Sequence, residues 1–229
     1  NDGGDTTDGG DTNDAGTGDG GSDAGTDASS GASSGPAGPV CGDGVVEGDE
    51  TCDDANAAPD DGCQHCTKDS IVFITSAVYQ GFDLGGLHGA DQRCRSLAAK
   101  AGLAGADTFR AWLSTPTSAA ADRLRHSRGR YVLVNGLVVA RDWDALTSGA
   151  LMNPITVDEH AQTQDSVAWT GTLLSGQPAL GSKFCNDWDG DFELFVTGAE
   201  GLSASTDVQW SFFAQGLCDH ENRLYCIEQ

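Results

Sequence analysis

Positive charge is scarce in this chain. Its 229 residues carry 12 Lys and Arg against 35 Asp and Glu, a formal net charge of −23 at pH 7. A field of that sign repels nucleic acid and anionic lipid, which argues against a nucleic-acid partner for the whole chain. Long apolar runs are also missing, and no stretch approaches the roughly 20 residues that a membrane-spanning helix needs. The first seventy positions hold almost no large apolar side chain, so a sizeable core must come from the part that follows. Catalytic patterns are wanting too. The five histidines, at positions 65, 88, 126, 160 and 220, form no HExxH pair, and no serine sits on a strand-to-helix Gly-X-Ser-X-Gly elbow. His160 beside Asp158 and Glu159, and His220 beside Asp219 and Glu221, have the carboxylate neighbours of ordinary surface histidines. A secreted hydrolase is therefore the weakest of the functional readings, behind a binding module and a structural one.

The charge that is present is unevenly placed. Positions 1–70 hold 17 acidic residues and one lysine, a balance of −16, which leaves −7 for the remainder. Residues 1–40 are Gly, Asp, Thr, Ser and Ala with no aromatic and no Lys or Arg. Such a segment has no apolar area to offset the entropy of ordering and is expected to be a disordered acidic linker. The chain begins at Asn1 and reads as a mature or trimmed form. A membrane tether through an N-terminal lipid outside this sequence is compatible with that reading.

Eight cysteines fall into two sets, Cys41, Cys52, Cys63 and Cys66, then Cys94, Cys185, Cys218 and Cys226. An even count beside an acidic, Gly-rich flank suits disulfides in an oxidising compartment, at the outer cell surface or beyond it. Cys63 and Cys66 have the two-residue spacing of redox and zinc sites, but no basic neighbour lowers a thiol pKa. Residues 41–69 read as a small cysteine-rich module in which the staples replace a core. Its pairing is left open by the sequence. Asp43, Glu47, Asp49, Glu50, Asp53, Asp54, Asp60 and Asp61 crowd it, either facing water or gathered around a hard cation such as calcium. The string CGDGVVEGDETCDD resembles a cysteine-rich repeat of bacterial surface proteins, with Ala55 where that repeat carries glycine.

From position 70 the pattern changes to that of an α+β domain, residues 70–229. Residues 71–76 are β-branched and aromatic, residues 90–101 have helical spacing with Asp91 at the amide end, and residues 109–113 put Phe109, Ala111 and Leu113 on one strand face. Residues 131–134 and 137–140 flank Asn135-Gly136, a tight-hairpin signal. A short helix is expected at 143–146 and strands at 167–170 and 224–227, joined by long Gly-rich loops.

Gly89-Ala90-Asp91 with Cys94, Phe109-Arg110-Ala111-Trp112-Leu113-Ser114, Trp143 with Ala145-Leu146, Val167 with Trp169 and Gly171, and Tyr225-Cys226-Ile227-Glu228 stand in the order found in the endostatin domain of certain collagens. Residues 71–228 therefore resemble that family, of C-type-lectin-like fold. The resemblance implies two nested disulfides, Cys94 with Cys226 and Cys185 with Cys218. It implies no zinc, since the histidines at the family's N-terminal edge are missing here. No Gly-X-Y repeat accompanies it, so no triple helix is expected.

The function expected from these features is a non-enzymatic, secreted or cell-surface binding or adhesion module for glycans or for envelope or matrix components. A spacer or coat subunit without a specific ligand is the alternative. Arg123, Arg125, Arg128 and Arg130, with His126, are the candidates for a local anion-binding patch. Trp188, in an acidic loop, is the tryptophan expected to be exposed for sugar stacking. Asn186, Asp187, Asp189 and Asp191 are candidate calcium ligands, because acidic residues in a glycine-containing loop can turn several oxygens to one centre.

Overall fold

The computed structural model describes residues 39–56, 58, 61–181, 184–190 and 194–229. The disordered-linker expectation for residues 1–40 lies, apart from Pro39 and Val40, outside them. The fold is α+β. A two-stranded ribbon, β1 (Cys63–Gln64) and β2 (Thr67–Lys68), precedes a nine-stranded sheet. The sheet contains β3 (Ser70–Ile74), β4 (Tyr79–Gln80), β5 (Arg110–Ala111), β6 (Tyr131–Leu133), β7 (Val138–Ala140), β8 (Val167–Trp169), β9 (Thr197–Leu202), β10 (Ala214–Leu217) and β11 (Glu221–Ile227). Its order is β10-β9-β8-β11-β3-β6-β7, with β4 and β5 also paired to β11. Right-handed α-helices among the described residues are α1 (Gly86–Ala101), α2 (Ala120–Arg123) and α3 (Trp143–Leu146). Among the described residues no helix is long and apolar enough to cross a membrane.

The strand period of two distributes side chains into two cores. Val72, Ile74, Tyr225 and Ile227 join Trp112, Trp143 and Trp210 in one cluster, while Phe73, Leu224 and Cys226 join Ala90, Cys94, Ala98, Trp169 and Trp188 in the other. Both faces of the sheet are thus covered. β11 supplies both cores and pairs with four strands, antiparallel to β3, β4 and β5 and parallel to β8. The last segment of the chain is its central strand.

Four disulfides leave no free cysteine, which fits an oxidising compartment. Cys94–Cys226 ties α1 to β11 across 132 positions, and Cys185–Cys218 closes 33; these are the pairs that the endostatin resemblance implies. In the chain-entropy account the longer one removes about 5 kcal/mol of freedom from the unfolded chain. In the small module the pairs are Cys41–Cys66 and Cys52–Cys63. Ala55 adopts φ +59°, the left-handed conformation that glycine supplies without steric cost.

The hairpin forms as Asn135-Gly136 predicts, with Gly136 at φ +87°, and Asp142 caps α3 by accepting from the Ala145 amide at 2.7 Å. α1 starts four residues earlier than its spacing predicts, and Asp91 is a correction. It does not serve the helix amide end. Its buried carboxylate accepts from the Ala111 amide at 2.9 Å, and its two oxygens share one Arg123 amino group, Nη2, at 2.7 and 2.8 Å. β9 and β10 were not expected, since Gly198, Gly201 and Gly216 dilute them. Gly201 is needed there: a Cβ would lie 2.0 Å from the Trp210 carbonyl oxygen.

Two stability predictions follow from these buried carboxylates. Asp91→Asn leaves the Arg123 guanidinium without its counter-charge and is expected to cost about 3 kcal/mol, a fall in melting temperature of roughly 6–12 °C. A fall below about 2 °C would show that the pair does not anchor α1. Glu200 on β9 is held above its ordinary carboxyl range by burial, against the opposing hydrogen bond from Asn222. The folded state therefore keeps this proton longer than the unfolded chain, and the associated stability is present at low pH and lost as pH rises through the folded value. Glu200→Gln is expected to gain stability over the native chain progressively from pH 4 to pH 7 in thermal melts, and a gap that narrows over that range would contradict the assignment.

Candidate ligand-binding groove

Residues 123–130 are where the scarce positive charge concentrates, and the structure divides their arginines into two kinds. Arg123 is consumed by Asp91 and by the Leu113 carbonyl at 2.7 Å. Arg130 is consumed by Asp69, with Nε at 3.0 Å and an amino group at 2.8 Å from the two carboxylate oxygens. Both belong to the framework, so neither serves the anion patch expected of it. Arg125 and Arg128 are exposed, and among the described residues neither guanidinium has a salt bridge or hydrogen bond.

The loop that carries them is built from below. The Tyr131 hydroxyl accepts from the Ser127 amide at 3.0 Å and donates to the Arg125 carbonyl at 3.3 Å. Burial pushes its phenol up to about 12, so it stays a neutral donor. The Trp143 amide donates to the Ser127 carbonyl at 3.0 Å, and the His126 ring stacks on Trp143 with centroids 3.9 Å apart. The Gln229 side chain accepts from the Arg125 amide at 2.6 Å.

The opposite wall comes from the cysteine-rich module. His65 and Cys66, both at positive φ, make the two-residue turn between β1 and β2, anchored by Cys41–Cys66. The Lys68 amide donates to Thr51 Oγ1 at 2.7 Å, and its ammonium pairs with the buried Glu228. Gly129 lets the two parts meet, because a Cβ there would lie 2.4 Å from the Lys68 carbonyl oxygen. Between the walls runs a groove of about 610 Å³ that includes Asp49, Glu50, His65, Lys68, Arg125 and Arg128. Arg128 also borders two further depressions of about 490 and 340 Å³, the first with Arg141 and the second with Asp144. Sequence reasoning missed His65 and Lys68 as partners of this loop, since nothing local signals a contact made across the fold.

The other candidates fall elsewhere. Trp188, expected to be exposed, is fully buried, and its Nε1 donates to the Ser114 carbonyl at 2.7 Å. The cause is a left-handed coil over residues 184–188, with φ between +46° and +65°, a conformation costing roughly 1–2 kcal/mol per residue. Cys185–Cys218 and the burial of Phe184 and Trp188 hold it. This coil turns the indole inward and leaves Asn186, Asp187 and Asp189 exposed; Asp191 lies outside the described residues. Among those residues, ligand atoms of three His, Cys, Asp or Glu side chains come within 4.8 Å of one another only at Glu50, Asp53 and Cys66. The Cys66 sulfur is committed to Cys41. Asp53 is held below its ordinary range, foremost by the Ala55 amide and then by those of Gly44, Gly42 and Asp43, at 2.8–3.2 Å. Backbone amides thus already satisfy the most central carboxylate of the acidic module.

Tyr131→Phe removes the acceptor under Ser127 and is expected to speed exchange of the Ser127 amide by about tenfold, the weight of one such hydrogen bond. Unchanged exchange would mean that packing alone holds the loop.

A family model described as a domain of unknown function (DUF4215) matches residues 37–67, the cysteine-rich module together with the residues that lead into it. No curated protein matches the chain. The wall of the groove contributed by Asp49, Glu50, His65 and Cys66 is thus similar to a domain to which no function is assigned.

Proposed function

We propose that this chain is a non-enzymatic binding module of the cell exterior, with an endostatin-like larger part, and that it holds a charged glycan of an envelope or matrix in the groove between its two parts. The observation that carries the reading is the pair of guanidinium groups, Arg125 and Arg128, that have no hydrogen-bond or salt-bridge partner among the described residues, on a loop fixed at both ends. In a chain of net charge −23, positive groups without a carboxylate partner among the described residues are worth explaining, and a loop backbone held in place lowers the entropic cost of binding. The disulfides support an exterior location.

The hydrolase reading has one relevant cluster, Ser76, Glu159 and His160. There the Ser76 hydroxyl donates to the Glu159 carboxylate, and the imidazole lies 3.7 Å from that same carboxylate. The imidazole does not bond that hydroxyl, so the serine–histidine contact of a hydrolase triad is not made there. The binding reading is the better supported one.

A glycan array probed with the full chain separates a binding module from a spacer or coat subunit. Saturable binding to charged glycans is expected, weakened roughly tenfold or more by Arg125→Glu or Arg128→Glu and unaffected by Lys100→Glu on the exposed face of α1. Absence of saturable binding across the array would favour the spacer.

A further inference from the structure

The groove is lined by charges of both signs that do not close on each other. Arg125 and Arg128 stand on one wall and Asp49 and Glu50 on the other. Asp49 is exposed, with no hydrogen bond or salt bridge from its carboxylate among the described residues. Glu50 spends one oxygen on the Glu47 amide at 3.0 Å. The juxtaposition recurs next door, where Arg128 shares a depression with Asp144, an exposed residue whose carboxylate is likewise unpaired among the described residues. Flexible opposite charges at a surface would be free to collapse onto each other. Here the disulfide under one wall and the Tyr131 and Trp143 contacts under the other fix the backbone on which the two sets of charges stand, and among the described residues no salt bridge joins the sets.

The geometry points to a zwitterionic polysaccharide as the ligand, one that presents amines and carboxylates on neighbouring sugars. This assignment rests on the reading of the groove as the ligand site, and deepens it. A purely anionic chain would satisfy Arg125 and Arg128 but meet Asp49 and Glu50 unscreened, under a strongly acidic global field. A purely cationic chain would meet the arginines. A ligand with both signs neutralises both walls. Among the described residues the lining contains no aliphatic or aromatic side chain larger than Pro39 and the histidines, so none of them seats an acyl chain or an apolar peptide side chain. That favours a sugar polymer over a lipid headgroup or a peptide. The cysteine-rich module then acts as a specificity-determining wall and not merely as a spacer.

The test is calorimetric titration of the full chain at low salt with four oligosaccharides of equal length. These are an alternating glucuronate–glucosamine oligomer with free amines, its N-acetylated anionic parent, a deacetylated chitin oligomer and a neutral chitin oligomer. The zwitterion is expected to bind roughly tenfold tighter than any other. Asp49→Asn is expected to weaken the zwitterion roughly threefold to fivefold and to strengthen the anionic parent, a crossing of signs that loss of folding does not produce. If the anionic parent binds as tightly as the zwitterion and depends on Arg128, the ligand class is wrong while the groove stands. If none of the four binds, or if binding survives Arg125→Glu and Arg128→Glu, the groove reading falls with it.

Discussion

The buried ion pair between Arg123 and Asp91 is the contact on which the candidate site depends. It joins α1 to α2, and the same carboxylate receives the Ala111 amide of β5. A second pair, the fork of Arg130 on Asp69, joins the far end of the same segment to the entrance of β3. Arg130 meets its carboxylate with two parallel bonds from two nitrogens, while Arg123 gives one amino group to Asp91 and the other to the Leu113 carbonyl, uses that the planar, multiply donating guanidinium allows. Buried pairs of this kind contribute little net stability, since desolvation offsets attraction. What they contribute here is position. With residues 123 and 130 pinned, the chain between them has a fixed path, and Arg125 and Arg128 face outward from it.

That path depends in turn on β11. β11 carries Cys226 into one core and Tyr225 and Ile227 into the other, so the sheet is complete only when that strand is in place. Contacts of such sequence separation are entropically costly to form. The Cys94–Cys226 bond offsets part of that cost by restricting the unfolded chain. The cysteine-rich module solves a similar problem on a smaller scale. Only Val45 and Val46 offer it aliphatic bulk, and both are exposed, so two disulfides, the Asp53 carboxylate and the contact with Gly129 give it shape.

Legibility in the sequence followed the locality of the cause. The β-branched run of β3, the Asn-Gly hairpin and the Asp-capped α3 are decided within a few residues, and their expected positions agree with the structure to within a residue or two. β9 was hidden because its glycines answer the Trp210 backbone and the Trp188 ring rather than strand propensity. The candidate patch was legible as a cluster of arginines but not as a site. Which arginines are free depends on Asp69 and Asp91, at separations of 61 and 32 positions. Trp188 shows the same limit, since its acidic neighbours suggested exposure, while the left-handed coil and the Cys185–Cys218 bond turn it inward.

The division of four neighbouring arginines into two that hold the loop and two that are presented is the central claim, and side-chain NMR reads it directly. In a spectrum resolving the arginine Nε–H signals, the account predicts slow solvent exchange for Arg123 and Arg130. Their shifts should stay constant on addition of a bound oligosaccharide, while Arg125 and Arg128 exchange rapidly when free and shift with ligand. Rapid exchange at Arg123 and Arg130, or ligand-induced shifts at those two in place of Arg125 and Arg128, would contradict it.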